Sequence, residues 1–171
     1  MLTGQSQLVD KVSGVIYGQA IGDALGLGTE FMTKAEVQKL YPYPLTRYGQ
    51  ILRDEHRRRW EPGAWTDDTD QMLCILDSLL EHQAIHLLDI ARRFHTWALT
   101  GMGIGNTVFA VLHHPEFLTN PHLAAQEVWE RTSRDNAPNG GVMRTSILGV
   151  WDYQHLDVVQ TNAEQVCKIT H

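Results

Sequence analysis

Thr66-Asp67-Asp68-Thr69-Asp70 puts three carboxylates and two hydroxyls into five consecutive positions, just ahead of the apolar run Met72-Leu73-Cys74-Ile75-Leu76. Neighbouring carboxylates repel one another, and an ordinary helix start does not need them all. Hard divalent cations do need clustered oxygens, and they relieve that repulsion. Thr66, Asp67 and Asp68 therefore form a candidate metal site where the chain enters a helix. The plainer alternative is a cap: Thr66 or Asp67 suits an N-cap position, and the helix dipole favours acids in a first turn. Three further clusters sit at the ends of apolar segments. They are Gly22-Asp23-Ala24-Leu25-Gly26 with Glu30 beyond it, Gly103-Ile104-Gly105-Asn106-Thr107, and Asn136-Ala137-Pro138-Asn139-Gly140-Gly141-Val142-Met143-Arg144. The last two have the make-up of anion cradles, since glycine lets the backbone approach closely and a helix N-terminus offers free N–H groups. Taken singly, each also reads as an ordinary turn. Carboxylates for a metal and glycine loops for phosphate together suit a phosphorylated nucleotide or sugar.

The elements that must position these groups are helical. Leu8, Val12, Val15, Ile16, Ala20 and Ala24 follow helix spacing, as do Met72, Leu73, Leu76, Leu79 and Leu80, and Leu87, Leu88, Ala91, Phe94, Trp97 and Ala98. A short helix is expected through Val108–Leu112, and Asn120-Pro121 opens another. Residues 142–150 and 162–169 are shorter helical candidates. Gly14, Gly18, Gly22 and Gly26 recur every four residues on one face, which suggests close approach of another helix or of a ligand. Residues 41–65, punctuated by Pro42, Pro44, Gly49, Pro62 and Gly63, read as a long, loop-rich segment. No hairpin signal appears, and the chain reads all-α.

Size and composition limit the functions available. The 171 residues form one domain by length, and 43% hydrophobic with 20% charged residues is ordinary for a globular protein. A net charge of −6 argues against a broad nucleic-acid surface, and Arg57-Arg58-Arg59 is expected to be a solvated face. The five tryptophans are scattered, with Trp97 and Trp129 fitting helix cores. Two cysteines, Cys74 and Cys167, without a C-x-x-C pair, indicate neither a zinc knuckle nor a disulfide framework. There is no N-terminal signal pattern and no membrane-length apolar run, so a cytoplasmic protein is the expectation.

The order G-D-A-L-G, the acid in Thr29-Glu30-Phe31, W-T-D-D-T-D-Q, G-N-T and N-G-G-V-M-R resembles the ADP-ribosylglycohydrolase family from about Val12 to His171. That family includes dinitrogenase-reductase-activating glycohydrolases and related ADP-ribosyl-acceptor hydrolases. The resemblance implies a compact multi-helix fold and two Mg²⁺ or Mn²⁺ ions. It implies hydrolysis of the glycosidic bond joining ADP-ribose to a protein side chain or small-molecule acceptor. By position, Thr66, Asp67 and Asp68 match the first metal-ligand motif, and Glu30 matches a glutamate on a mobile loop near the metals. Asn106 with its neighbours Gly105 and Thr107, together with Asn139, Gly140, Gly141 and Met143, matches stretches lining the ADP-ribose site. His171 matches a histidine near the bound nucleotide. Asp23 reads as a capping or supporting acid rather than a catalytic one.

Two departures qualify the match. The family's later Asp-x-Asp-Ser/Thr motif has no counterpart here, since Asp152 and Asp157 lack the pattern. The chain thus looks like an N-terminal portion, carrying one of the two ligand sets. On that view apolar surface is exposed, and a homo-oligomer or a complementing chain is expected. Further, Gly101-Met102-Gly103-Ile104 holds no acid ahead of Gly-Asn-Thr to pair with a guanidinium, which speaks against an ADP-ribosyl-arginine substrate. The expected chemistry has Glu30, Asp67 and Asp68 as catalytic residues: the aspartates hold the ion with Thr66 as a neutral ligand, and Glu30 ligates or acts as base on water. Two rival readings stand beside it, an ADP-ribose-binding module without turnover and a structural α-helical fragment.

Overall fold

Apolar residues spaced three and four apart give each helix one face that only another apolar face can cover. The computed structural model describes residues 4–135 and 138–171, and its regular elements are helical throughout. Asn136 and Ala137, placed by sequence in the last glycine cluster, fall outside the described residues. The chain forms two compact units, Met1–Thr69 and Asp70–His171.

In the first unit α1 (Gly4–Gly26) leads through a turn to α2 (Lys34–Leu40). Thr33 starts α2 with a capping box, its hydroxyl accepting from the Glu36 N–H while the Glu36 carboxylate accepts from the Thr33 N–H. The loop-rich segment follows, with two short 3₁₀ turns at Tyr48–Gln50 and Arg57–Arg59. The glycine stripe of α1 differs from expectation. A Cβ added at Gly14, Gly18, Gly22 or Gly26 would meet nothing within 4 Å, so no described residue approaches that face. The basic run differs too. Arg58 and Arg59 are exposed, but Arg57 is only 4% exposed because main-chain carbonyls take its guanidinium.

In the second unit α3 (Asp67–His82), whose first turn begins at the end of the first unit, buries Met72, Ile75 and Leu79 along one stripe. Then come α4 (Leu87–Trp97), α5 (Asn106–Leu112), α6 (Pro121–Arg131), α7 (Leu148–Trp151) and α8 (Leu156–Cys167). Asn120 caps α6, its side chain accepting from the Leu123 N–H, with Pro121 at the first helical position. Residues 142–150 form turns with only the brief α7, since Gly140, Gly141 and Gly149 weaken any longer helix. Trp129 is 40% exposed rather than core, and Trp97 is half-buried with its indole N–H on Asp70 Oδ2 at 2.9 Å. No helix among the described residues is long and apolar enough to cross a membrane.

Candidate active site

The acid cluster of the first unit is organised by Asp23, on the last turns of α1. Its Oδ2 accepts from the main-chain N–H of Thr66 (2.9 Å) and of Thr69 (3.0 Å), and from the Thr69 hydroxyl (2.7 Å). Its Oδ1 accepts from the Thr66 hydroxyl (2.6 Å). One carboxylate from a distant helix therefore caps the start of α3 and fixes both threonines. Each hydroxyl spends its single proton on Asp23, which leaves the Thr66 oxygen's lone pairs free to accept or ligate.

That arrangement aims Asp67 and Asp68 into a crowded acidic corner. Burial pushes Asp67 up to about 7, with the Asp68, Asp23 and Glu30 carboxylates adding to the effect. Burial also pushes Asp68 up to about 6, helped by Asp23 and Glu30. The charged groups that raise both are acids, and a cation would relieve their repulsion. Among the described residues no three His, Cys, Asp or Glu side chains already converge as a metal-binding group.

Glu30 is held at the edge of this corner by residues that sequence reading did not single out. Its Oε2 lies 2.7 Å from His56 Nε2. Its main-chain carbonyl accepts from the buried Arg57, whose Nε also donates to the Leu27 (2.9 Å) and Gly28 (3.1 Å) carbonyls. Asp54 completes the clamp as the ion partner of Arg57. Beside Glu30, Phe31 adopts a left-handed backbone (φ 60°) and is 86% exposed, its ring edge-on to His56 at 5.2 Å.

The second unit assembles the remaining sequence candidates. Gly105 precedes α5 with no side chain to cap it, so Asn106 and Thr107 open the helix at the surface. Asn139–Gly141 make a 3₁₀ turn in which Gly140 and Gly141 are buried against His171. A Cβ on Gly140 would sit 2.7 Å from His171 Cε1 and 3.5 Å from Val108 of α5, so only glycine brings the turn, the histidine and α5 this close. Met143 follows, half-buried. Behind the turn lies Arg144, fully buried with its guanidinium 4.7 Å from the Phe94 ring centroid. It donates to Gln71 Oε1 (2.7 Å), the Val166 carbonyl (3.2 Å) and Thr170 Oγ1 (2.8 Å).

Because Arg144 can only donate, Thr170 Oγ1 accepts from it, and the same oxygen lies 2.7 Å from His171 Nδ1. Burial together with the Arg144 charge pushes His171 down to about 4, which keeps the ring neutral. Nε2 is buried with no hydrogen-bond partner. The ring borders a cleft of about 490 Å³ that Trp129, Pro138 and Lys168 also line. Sequence reading placed His171 but not the Arg144 and Thr170 contacts behind it.

An all-helical fold with this acid corner and glycine turn defines a class, and the family model described as ADP-ribosylglycohydrolase matches residues 4–171: the chain belongs to that family. Its curated relatives include the ADP-ribosyl-[dinitrogen reductase] glycohydrolase of Rhodospirillum rubrum, 32% identical over 149 residues, covering 84% of this chain and 45% of the relative. The ADP-ribosylarginine hydrolase Tri1 of Serratia proteamaculans is 24% identical over 172 residues, covering 99% and 44%. The ADP-ribosylhydrolase ARH3 of Danio rerio is 29% identical over 149 residues, covering 80% and 36%. The chain spans about half the length, or less, of the curated relatives it matches.

Proposed function

We propose that the protein carrying this chain is a metal-dependent hydrolase that cleaves the glycosidic bond between ADP-ribose and a protein side chain or small-molecule acceptor. The observation that carries the reading is the acid corner: two aspartates on the first turn of α3, forced upward in pKa by burial and by neighbouring carboxylates. Its donor set fits a hard divalent cation, Mg²⁺ or Mn²⁺. The Thr66 oxygen keeps its lone pairs for a ligand because its proton goes to Asp23, and two neighbouring aspartates add oxygen donors of the kind a hard dication takes, although the described acids do not converge as a group of three. When bound, such an ion supplies Lewis acidity toward ribose oxygens and makes water more acidic.

The chain's own residues do the rest. Asp67, Asp68 and Thr66 hold the ion, and Asp23 fixes all three by anchoring the start of α3. Glu30 takes a proton from the attacking water or adds a ligand oxygen. Nε2 of His171 hydrogen-bonds ADP-ribose, its partnerless state in the structure being the reason for the assignment. Gly105, Asn106 and Thr107 at the start of α5, with Asn139, Gly140, Gly141 and Met143, line the ADP-ribose. The names of the three relatives described above support this substrate class.

The test replaces Asp67 and Asp68 by Asn in the intact protein and follows ADP-ribose release together with Mn²⁺ binding. Both should fall at least tenfold in each variant, the usual minimum for damage to a metal shell. Undiminished hydrolysis with unchanged Mn²⁺ binding would refute the assignment.

A further inference from the structure

Trp97 is the last residue of α4, and its indole folds back against the chain that leaves the helix. The main-chain N–H of Gly101 donates to the Trp97 carbonyl at 2.7 Å. A Cβ built on Gly101 would sit 2.4 Å from Cε2 and 2.6 Å from Nε1 of the ring, so only glycine lets the chain lie this close to the indole. On the first turn of α3, 27 positions earlier, the Asp70 carboxylate accepts the indole N–H at 2.9 Å. Asp70, Trp97 and Gly101 all belong to the second unit.

These contacts pass position from one group to the next. An indole has one polar hydrogen, and an ionised carboxylate is a stronger acceptor for it than a neutral group. With that hydrogen held, the half-buried ring keeps one orientation, and it cannot swing without moving Gly101. Only residues 102–105 separate Gly101 from Asn106. Among them Gly103 takes φ 83°, a backbone that favours glycine and gives the path a set turn. Beyond it, Val108, Val111 and Leu112 bury the body of α5. The helix is thus anchored by its own apolar stripe, while the chain leading into its first turn is anchored by the indole.

We infer that Asp70 and Trp97 are positioning residues for ADP-ribose binding: the carboxylate fixes the indole, the indole fixes Gly101, and Gly101 sets the path of the chain into Gly105, Asn106 and Thr107. The inference rests on the reading that those three residues line ADP-ribose.

The experiment is a calorimetric titration of the intact protein with ADP-ribose, with Tm measured alongside to show that each variant is folded. Asp70→Ala and Trp97→Phe break the same hydrogen bond from opposite ends. Each should weaken binding roughly fivefold, within the range for side chains that act on a site through their neighbours. Asp70→Asn, whose side-chain carbonyl still accepts the indole N–H, should restore most of the affinity. In the double variant Asp70→Ala with Trp97→Phe the two losses should not add, because either change alone removes the bond. A purely stabilising pair would lower Tm and leave the ADP-ribose affinity of the folded protein unchanged. Wild-type affinity in Asp70→Ala overturns the inference. So does Asp70→Asn binding as weakly as Asp70→Ala, and so does a double variant in which the losses add. A wild-type protein that binds no ADP-ribose overturns the substrate reading and this inference together, so the two failures are distinguishable.

Discussion

On the proposed metal reading, an ion entering the acid corner expels protons, because burial holds both aspartates partly protonated. Burial and the neighbouring carboxylates push Asp67 up to about 7 and Asp68 up to about 6, above the ordinary aspartate range. A divalent ion takes both as carboxylates, so the protons they carry beforehand are released. More than one proton is therefore expected to leave per ion near pH 6, and far fewer by pH 8. Calorimetric titration of Mn²⁺ in buffers of different ionisation enthalpy reads this number directly, as the slope of observed enthalpy against buffer enthalpy. The same groups fix the sign of the pH dependence of stability. Their folded pKa values lie above the unfolded ones, so the folded protein binds more protons. The stability they contribute is complete below about pH 4 and is lost as pH rises through about 7, on the order of 3 kcal/mol after allowance for solvent screening. Metal-free Tm should therefore fall between pH 5 and pH 8, and saturating Mg²⁺ should flatten the profile. Proton release that is absent at pH 6, or that grows toward pH 8, would refute the reasoning.

Other perturbations have equally definite outcomes. Asp23→Asn puts an amide N–H₂ where N–H and O–H donors need an acceptor, and should cost about 2 kcal/mol in urea-melt stability. Gly140→Ala must displace the His171 ring, since the added methyl would sit 2.7 Å from Cε1; calorimetry with ADP-ribose should show at least tenfold weaker binding at a stability loss of about 1–3 kcal/mol. Arg144→Met leaves Gln71 Oε1 and the Val166 carbonyl without this donor and should destabilise by about 3 kcal/mol or more, seen as a lower Tm.

What the sequence reveals is what short-range pattern controls. Asn120-Pro121 announces the start of α6 because cap and first-turn proline are local devices; the Met72–Leu80 periodicity announces α3, but the face it buries is Met72, Ile75 and Leu79, with Leu80 of the expected stripe 57% exposed. The acid run marks the candidate site because three carboxylates within four positions, Asp67, Asp68 and Asp70, repel one another wherever they fall. Arg57 defeats the same reading, since the carbonyls that bury it lie up to 30 positions away at Leu27 to Glu30. Arg144 reaches Gln71 across 73 positions, a separation that no window spans. The glycines of α1 mislead differently: their spacing is real, but among the described residues nothing comes within 4 Å of a Cβ built there, so the spacing alone does not mean close packing.

Phe31 shows where the loop around Glu30 can be retuned. A left-handed backbone suits glycine or asparagine and costs an aromatic residue about 1 kcal/mol, here for a ring that is almost wholly in water. Exchange for glycine would relieve that cost and toughen the fold against heat, at the same time removing one of the two rings that steady His56. Thermal robustness and the packing that steadies the His56 ring beside Glu30 are therefore traded at a single codon, which makes position 31 the natural dial for an engineer seeking either one.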